Sequence, residues 1–128
     1  MNLFHNNRAS LVLIIDLESQ TFLSVFKDHY SFNIPGGKCF RNETDIDCAI
    51  REIEEETGLF LFENKMKLIL SEQCEDFIVS TFLTYDFVGK IHSDEDHLIS
   101  FLSLDKLLIN KNPKWIKYHR KLLKIIKK

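Results

Sequence analysis

The 128-residue sequence predicts an α/β protein, a mixed β-sheet sandwiched between helices. Three observations carry this. Apolar stretches of strand length stand on both sides of a segment with helical period. That segment, Asp45 to Thr57, lies in the middle of the chain rather than at an end. A second amphipathic segment closes the sequence. The length suits one domain, 1–128, large enough to bury a core without disulfides or a structural metal.

The first element, Arg8 to Asp16 (RASLVLIID), is continuously apolar from Leu11 to Ile15, which predicts a strand buried on both faces. Glu18 to Gln20 reads as a turn, and Thr21 to Lys27, β-branched and aromatic, as its hairpin partner. Tyr30 to Phe40 reads as extended chain broken by Pro35, Gly36 and Gly37. In Asp45 to Thr57, Ile46, Ala49, Ile50 and Ile53 recur at i, i+3, i+4 and i+7 and form one apolar face. Thr44 and Asp47 resemble a variant capping box, and Gly58 stands where a C-cap takes positive φ. Met66 to Gln73 and Phe77 to Phe87 read as strands, the second with Phe77, Val79, Thr81, Leu83, Tyr85 and Phe87 on one face. Leu98 to Leu102 is a short apolar segment, and Asp105 is placed to cap a helical turn after it. Pro113 opens a last helix to about Ile126.

Composition narrows the function classes. Hydrophobic residues make up 45% and charged residues 28%, the balance of an ordinary globular domain. The first residues lack a basic segment followed by a long apolar run, so no secretory signal is read there. The run Leu11 to Ile15 is too short to span a bilayer. Cys39, Cys48 and Cys74 are odd in number and widely spaced. They are expected as free, mostly buried thiols in a reducing cytoplasm. From Lys114 onward there are seven Lys and Arg and no acid, against ten basic and nineteen acidic residues before it. An acidic body argues against a broad nucleic-acid platform and suits a site that gathers cations. The terminal helix has the lysines of a membrane-surface or nucleic-acid helix, but the plainer reading docks it on the sheet with its lysines solvated. No HExxH, GxSxG or P-loop pattern occurs.

The chemistry-bearing stretch is Gly37 to Leu59, GKCFRNETDIDCAIREIEEETGL. Glu52, Glu55 and Glu56 lie three and four apart and share one helix face, beside the apolar face. Such close carboxylates repel one another, and a hard divalent cation with oxygen ligands is one way to offset that. The helix alone leaves a second reading open, a solvated acidic face. The Pro35-Gly36-Gly37 turn just upstream, able to bring bare backbone near a metal or phosphate, favours the first.

The full spacing resembles the signature of the Nudix hydrolase family at Gly37, Glu43, Arg51, Glu52, Ile53, Glu55, Glu56, Gly58 and Leu59. The likeness to these MutT-like nucleotide pyrophosphohydrolases implies an α/β/α sandwich with a mixed sheet. It implies Mg²⁺ or Mn²⁺ on Glu52, Glu55 and Glu56, helped by the Gly36 carbonyl. Glu43 would pair with Arg51 as structural support alongside Gly37 and Gly58, with Ile53 and Leu59 in the core. The reaction implied is attack of water on a phosphorus of a nucleoside diphosphate linked to another moiety, with a carboxylate to receive the proton. Glu52 is one candidate base. Glu95, in the loop His92 to His97, is the other, by likeness to relatives that use a glutamate outside the motif. Asn42 stands where many relatives have Gly, and Leu98 where many have Glu. Lys38 and Arg41 are candidate phosphate contacts, Phe32, Asn33 and Phe82 candidate pocket residues, and Asn112 a candidate base reader.

The resemblance implies a nucleoside triphosphate substrate, oxidised ones included. The alternatives kept beside it are dinucleoside polyphosphates, nucleotide sugars or a capped RNA end, and a non-catalytic nucleotide-binding regulator. The intact glutamate trio argues against the last. A small-molecule nucleotide partner, no membrane, no nucleic acid other than a capped end, a cytoplasmic location and a monomer or homodimer complete the expectation.

Overall fold

Strand β1 (His5–Asp16) is the spine of the protein. The computed structural model describes residues 5–26, 32–92, 98–109 and 113–127. On one side β1 runs parallel to β7 (Phe77–Thr84), from Arg8 opposite Ile78 to Ile14 opposite Thr84. On the other side it pairs antiparallel with β4 (Gly36–Phe40) in its first half and with β2 (Thr21–Phe26) at Ile15 and Asp16. β6 (Lys67–Cys74) closes the edge beyond β7, while β3 (Phe32–Asn33) and β9 (Leu98–Ser103) flank β2. A two-stranded ribbon joins β5 (Phe60–Leu61) to β8 (Phe87–Val88).

The unbroken apolar run in β1 serves two cores, because successive side chains point to opposite faces. Val12 and Ile14 pack with Ala49, Ile53, Leu59 and Leu61 beneath helix α1 (Asp45–Thr57). Leu13 and Ile15 pack with Tyr118, Leu122 and Leu123 beneath helix α2 (Pro113–Ile126). Helices thus cover both faces of a mixed sheet, as the sequence predicts. Burial of the Tyr118 hydroxyl, which lies 2.6 Å from the Thr81 hydroxyl, pushes its pKa up to about 12. His119 is buried with Nδ1 2.7 Å from the Leu107 carbonyl, which can only accept, so Nδ1 carries a proton, and burial lowers the pKa of the ring.

Helix α1 begins and ends where its caps stand. The Thr44 hydroxyl accepts the Asp47 N–H at 3.2 Å, and Gly58 takes φ 78° with its N–H on the Glu54 carbonyl.

Four expectations change. Gly36 to Phe40 is not broken extended chain but a paired strand, because β1 offers it a partner far away in sequence. The strand from Phe77 stops at Thr84. Thr84 Oγ1 accepts the Asp86 N–H and turns the chain, and Phe87 packs in the core under α1 rather than continuing the face of Val79. Asp105 does not cap. The 3-10 turn Leu104–Leu108 starts after Ser103 with no side-chain cap, and Asp105 lies inside it. Cys39 and Cys48, expected as free thiols, form a buried disulfide, with Cα atoms 5.2 Å apart, linking β4 to α1. Bridged in this way, the two cysteines do not indicate a reducing compartment. Only Cys74 is a free thiol among the described residues. No helix among those residues is long and apolar enough to cross a membrane.

Candidate active site

The acidic face of α1 meets strand β4 at its two glycines. Gly36 donates its N–H to Glu56 Oε1 at 2.8 Å, and Glu56 is only 3% exposed. Gly37 lies directly against the Glu52 carboxylate. A Cβ there would stand 2.5 Å from Glu52 Oε2. At Gly36 the φ of 152° and the crowding of the Ser10 carbonyl and Leu11 Cα leave no room for a side chain. The glycines bring bare backbone to the carboxylates of Glu52 and Glu56. The contact at Gly36, however, is through its N–H, beside the carbonyl that the resemblance assigns to a metal.

Glu43 and Arg51 pair as expected, with Glu43 Oε1 also accepting the Phe40 N–H at 2.9 Å. The bond to Arg51 holds the Glu43 carboxyl below its ordinary pKa of 4.5, and the same bond raises Arg51. Arg51 does more than brace the loop. Its Nη1 reaches Glu52 Oε1 at 2.9 Å and Glu55 at 3.3 Å, its Nη2 donates to the Lys38 carbonyl, and its guanidinium lies 4.2 Å from the centre of the Phe40 ring. Glu54 is exposed as expected, and Glu55 is exposed beside it.

The donor chemistry suits a hard divalent cation. Glu52, Glu55 and Glu56 offer only oxygen, and Glu56 carries its carboxylate at a depth where charge needs compensation. The three are not gathered as a ligand set among the described residues, and both Glu52 and Glu55 pair with Arg51. Glu55 is the most exposed of the three.

A cavity of about 390 Å³ opens on the opposite face of the sheet, under α2. Its floor includes Leu11, Phe77 and Val79, its α2 wall Trp115 and Tyr118, and Lys38, Lys117 and Lys121 bring positive charge. Lys38 Nζ stands 5.3 Å above the Phe77 ring, and Lys121 pairs with Glu72 across the rim. Gly37 also lines this cavity. One residue of backbone thus touches Glu52 on one side and the cavity on the other.

Of the candidate binding residues, Lys38 lines the cavity. Phe32 is buried in the core against Phe22, Asn33 is half-buried in β3, and Phe82 is buried beneath α1. Arg41 is exposed in the turn before α1. Glu95 and Asn112 lie outside the described residues. Sequence reasoning missed the cavity residues Phe77 and Trp115. The signal was the apolar face of the last helix, read only as a docking face. It also missed Arg8, which stands near the head of an apolar strand as its one Arg or Lys.

The NUDIX domain model matches residues 5–124. The chain is 35% identical over 51 residues to mRNA decapping complex subunit 2 of Schizosaccharomyces pombe, a stretch that is 40% of this chain and 7% of that relative. Among solved structures it resembles the MutT NUDIX hydrolase of Burkholderia pseudomallei, with TM-score 0.71 and 19% identity over 94% of this chain and 97% of that one. It also resembles a C. elegans Ap4A hydrolase, with TM-score 0.71 and 15% identity over 94% and 98%. At those identities the two structures speak for the fold.

Proposed function

Because this chain belongs to the NUDIX domain family of pyrophosphohydrolases, we propose that it hydrolyses the pyrophosphate linkage of a nucleoside triphosphate, oxidised ones included, with Mg²⁺ or Mn²⁺. The observation that carries this reading is the position of Gly37, shared by the glutamate face and the aromatic cavity. A nucleotide has the matching shape, a flat apolar base joined to a charged phosphate chain. Trp115, Phe77 and Tyr118 offer aromatic surface to a base, and Lys38 offers charge where the chain would leave the cavity.

Glu52, Glu55 and Glu56 would hold the cation. Once bound, it would offset charge on the phosphate oxygens and acidify the attacking water. Arg51 keeps Glu52 and Glu55 oriented through Nη1 while Glu43 holds the rest of its guanidinium. Gly36 holds Glu56 through its N–H. The proton from water needs a carboxylate, and Glu52 and Glu95 are the two candidates.

A capped RNA end is the second reading. It is favoured by the 51-residue likeness to a decapping subunit and by the basic run from Lys114. A panel of nucleoside triphosphates, dinucleoside polyphosphates, nucleotide sugars and capped RNA, incubated with and without Mg²⁺ and resolved by product, tests both. Release of pyrophosphate and a monophosphate from triphosphates supports the first reading. Selective release of the cap supports the second. No pyrophosphate linkage cleaved in any of them would sink the enzyme reading.

A further inference from the structure

We propose that Arg8 is a positioning residue for the glutamate helix, acting through Glu43 and Arg51 to set the affinity of the site for its divalent cation. The proposal rests on the metal reading of Glu52, Glu55 and Glu56 given above. Arg8 lies on β1, opposite Ile78 of β7. Its guanidinium instead grips the loop that leads into α1 at three points. Nη2 donates to the Phe40 carbonyl at 3.0 Å and to the Glu43 carbonyl at 2.7 Å, and Nη1 pairs with Asp45.

Asp45, the first residue of α1, is tied to the sheet from two further directions. Ser10 Oγ on β1 donates to its carbonyl at 2.7 Å, and Ser80 Oγ on β7 lies 3.4 Å from its Oδ2. The sheet therefore fixes both the start of the helix and the main chain of Glu43. The Glu43 carboxylate then meets Arg51 at two points, and the remaining nitrogen of Arg51 serves Glu52 and Glu55. Hydrogen bonds from Arg8 to the Glu43 main chain, and from the Glu43 carboxylate to Arg51, are thus joined through the covalent frame of Glu43 and lead from β1 to the face proposed to hold the cation.

Holding all three acceptors calls for arginine. Two carbonyls and a carboxylate are spread around one side chain, and a planar guanidinium fork reaches all three. A lysine keeps the charge but presents one ammonium, so it cannot hold that geometry. A purely structural Arg8 would add stability without any coupling to Glu43. A positioning Arg8 loses its influence once the link it acts through is cut.

The test is Mn²⁺ titration followed by electron paramagnetic resonance, with thermal melts by circular dichroism, on the full chain and its Arg8→Lys, Glu43→Gln and doubly substituted variants. The expected result is a cooperative melt for every variant and Mn²⁺ binding weakened about tenfold in Arg8→Lys, as for loss of a partner that orients metal ligands. The double variant should bind no more weakly than Glu43→Gln alone. Binding by Arg8→Lys equal to the unsubstituted chain, or losses that multiply in the double variant, would overturn the proposal. Should Arg8→Lys fail to fold, Asp45→Asn breaks the same ion pair while keeping an acceptor, and the same weakening and the same lack of additivity are expected of it. Failure of the unsubstituted chain to bind Mn²⁺ would overturn the metal reading itself, and this proposal with it.

Discussion

Glu43 and Arg51 meet at two points, with Arg51 Nε donating to Glu43 Oε2 at 2.7 Å and Nη2 to Oε1 at 2.9 Å. The third nitrogen of the same guanidinium is turned to Glu52 and Glu55. Scaffold and site thus share one side chain, and disturbing the first disturbs the second.

That pairing has a pH signature. The hydrogen bond from Arg51 lowers the Glu43 pKa from its ordinary 4.5, against the opposing effect of burial. A carboxylate with a depressed folded pKa gives its full contribution above its unfolded value. It loses that contribution as pH falls through the lower folded value. We expect the Glu43 carboxyl carbon to titrate below 4.5 by NMR, and to return toward 4.5 in Arg51→Gln. A midpoint at or above 4.5 in the unsubstituted chain would show that the pair does not hold in solution.

Neighbouring glycines should fail in different ways when replaced by alanine. At Gly37 the new methyl meets the far end of the Glu52 side chain, which can swing aside, so stability should change little while turnover falls. At Gly36 it meets the backbone of Ser10 and Leu11 at a φ that side chains avoid, so the fold should lose about 1–3 kcal/mol from the dihedral alone, before the clash. Melting curves and turnover on both variants check this. Equal loss of stability in the two would contradict the placement of Glu52 against Gly37.

Much of this was legible in the sequence, and the reasons are local. Helix α1 was readable to the residue because its period, its Thr44 cap and its Gly58 stop all lie within its own segment. The double burial of β1 followed from an unbroken apolar run. What was not legible depends on partners far along the chain. Gly36 to Phe40 looks like a broken loop until β1 pairs with it. Phe82 looks like a pocket residue until the strand alternation turns it under α1. Cys39 and Cys48 match no framework spacing, and only the packing of β4 on α1 brings them together. The motif gave Glu43 and Arg51 but not Arg8, since a motif records what neighbours in sequence share.

The disulfide is itself open to a direct count. Titration of the unfolded, unreduced chain with a thiol reagent should find Cys74 alone, and three thiols after reduction. The bridge closes a short loop, with a sequence separation of 9. Its reduction should lower stability by about 2–3 kcal/mol on chain-entropy grounds. Three reactive thiols before reduction would mean that the two cysteines merely pack together.

The carboxylates of α1 are expected to drive metal-dependent pyrophosphate cleavage, and the buried Glu56 is the place to probe this. Glu56→Gln keeps the volume and the acceptor for the Gly36 N–H while removing one charge from a position 3% exposed. The measurement is steady-state turnover of that variant under Mg²⁺, on the substrate that the unsubstituted chain cleaves, with a melting curve to establish folding. A folded variant slowed by about a hundredfold or more is expected, because a metal supplies several kcal/mol of transition-state stabilisation. A folded variant with turnover near that of the unsubstituted chain would contradict that expectation.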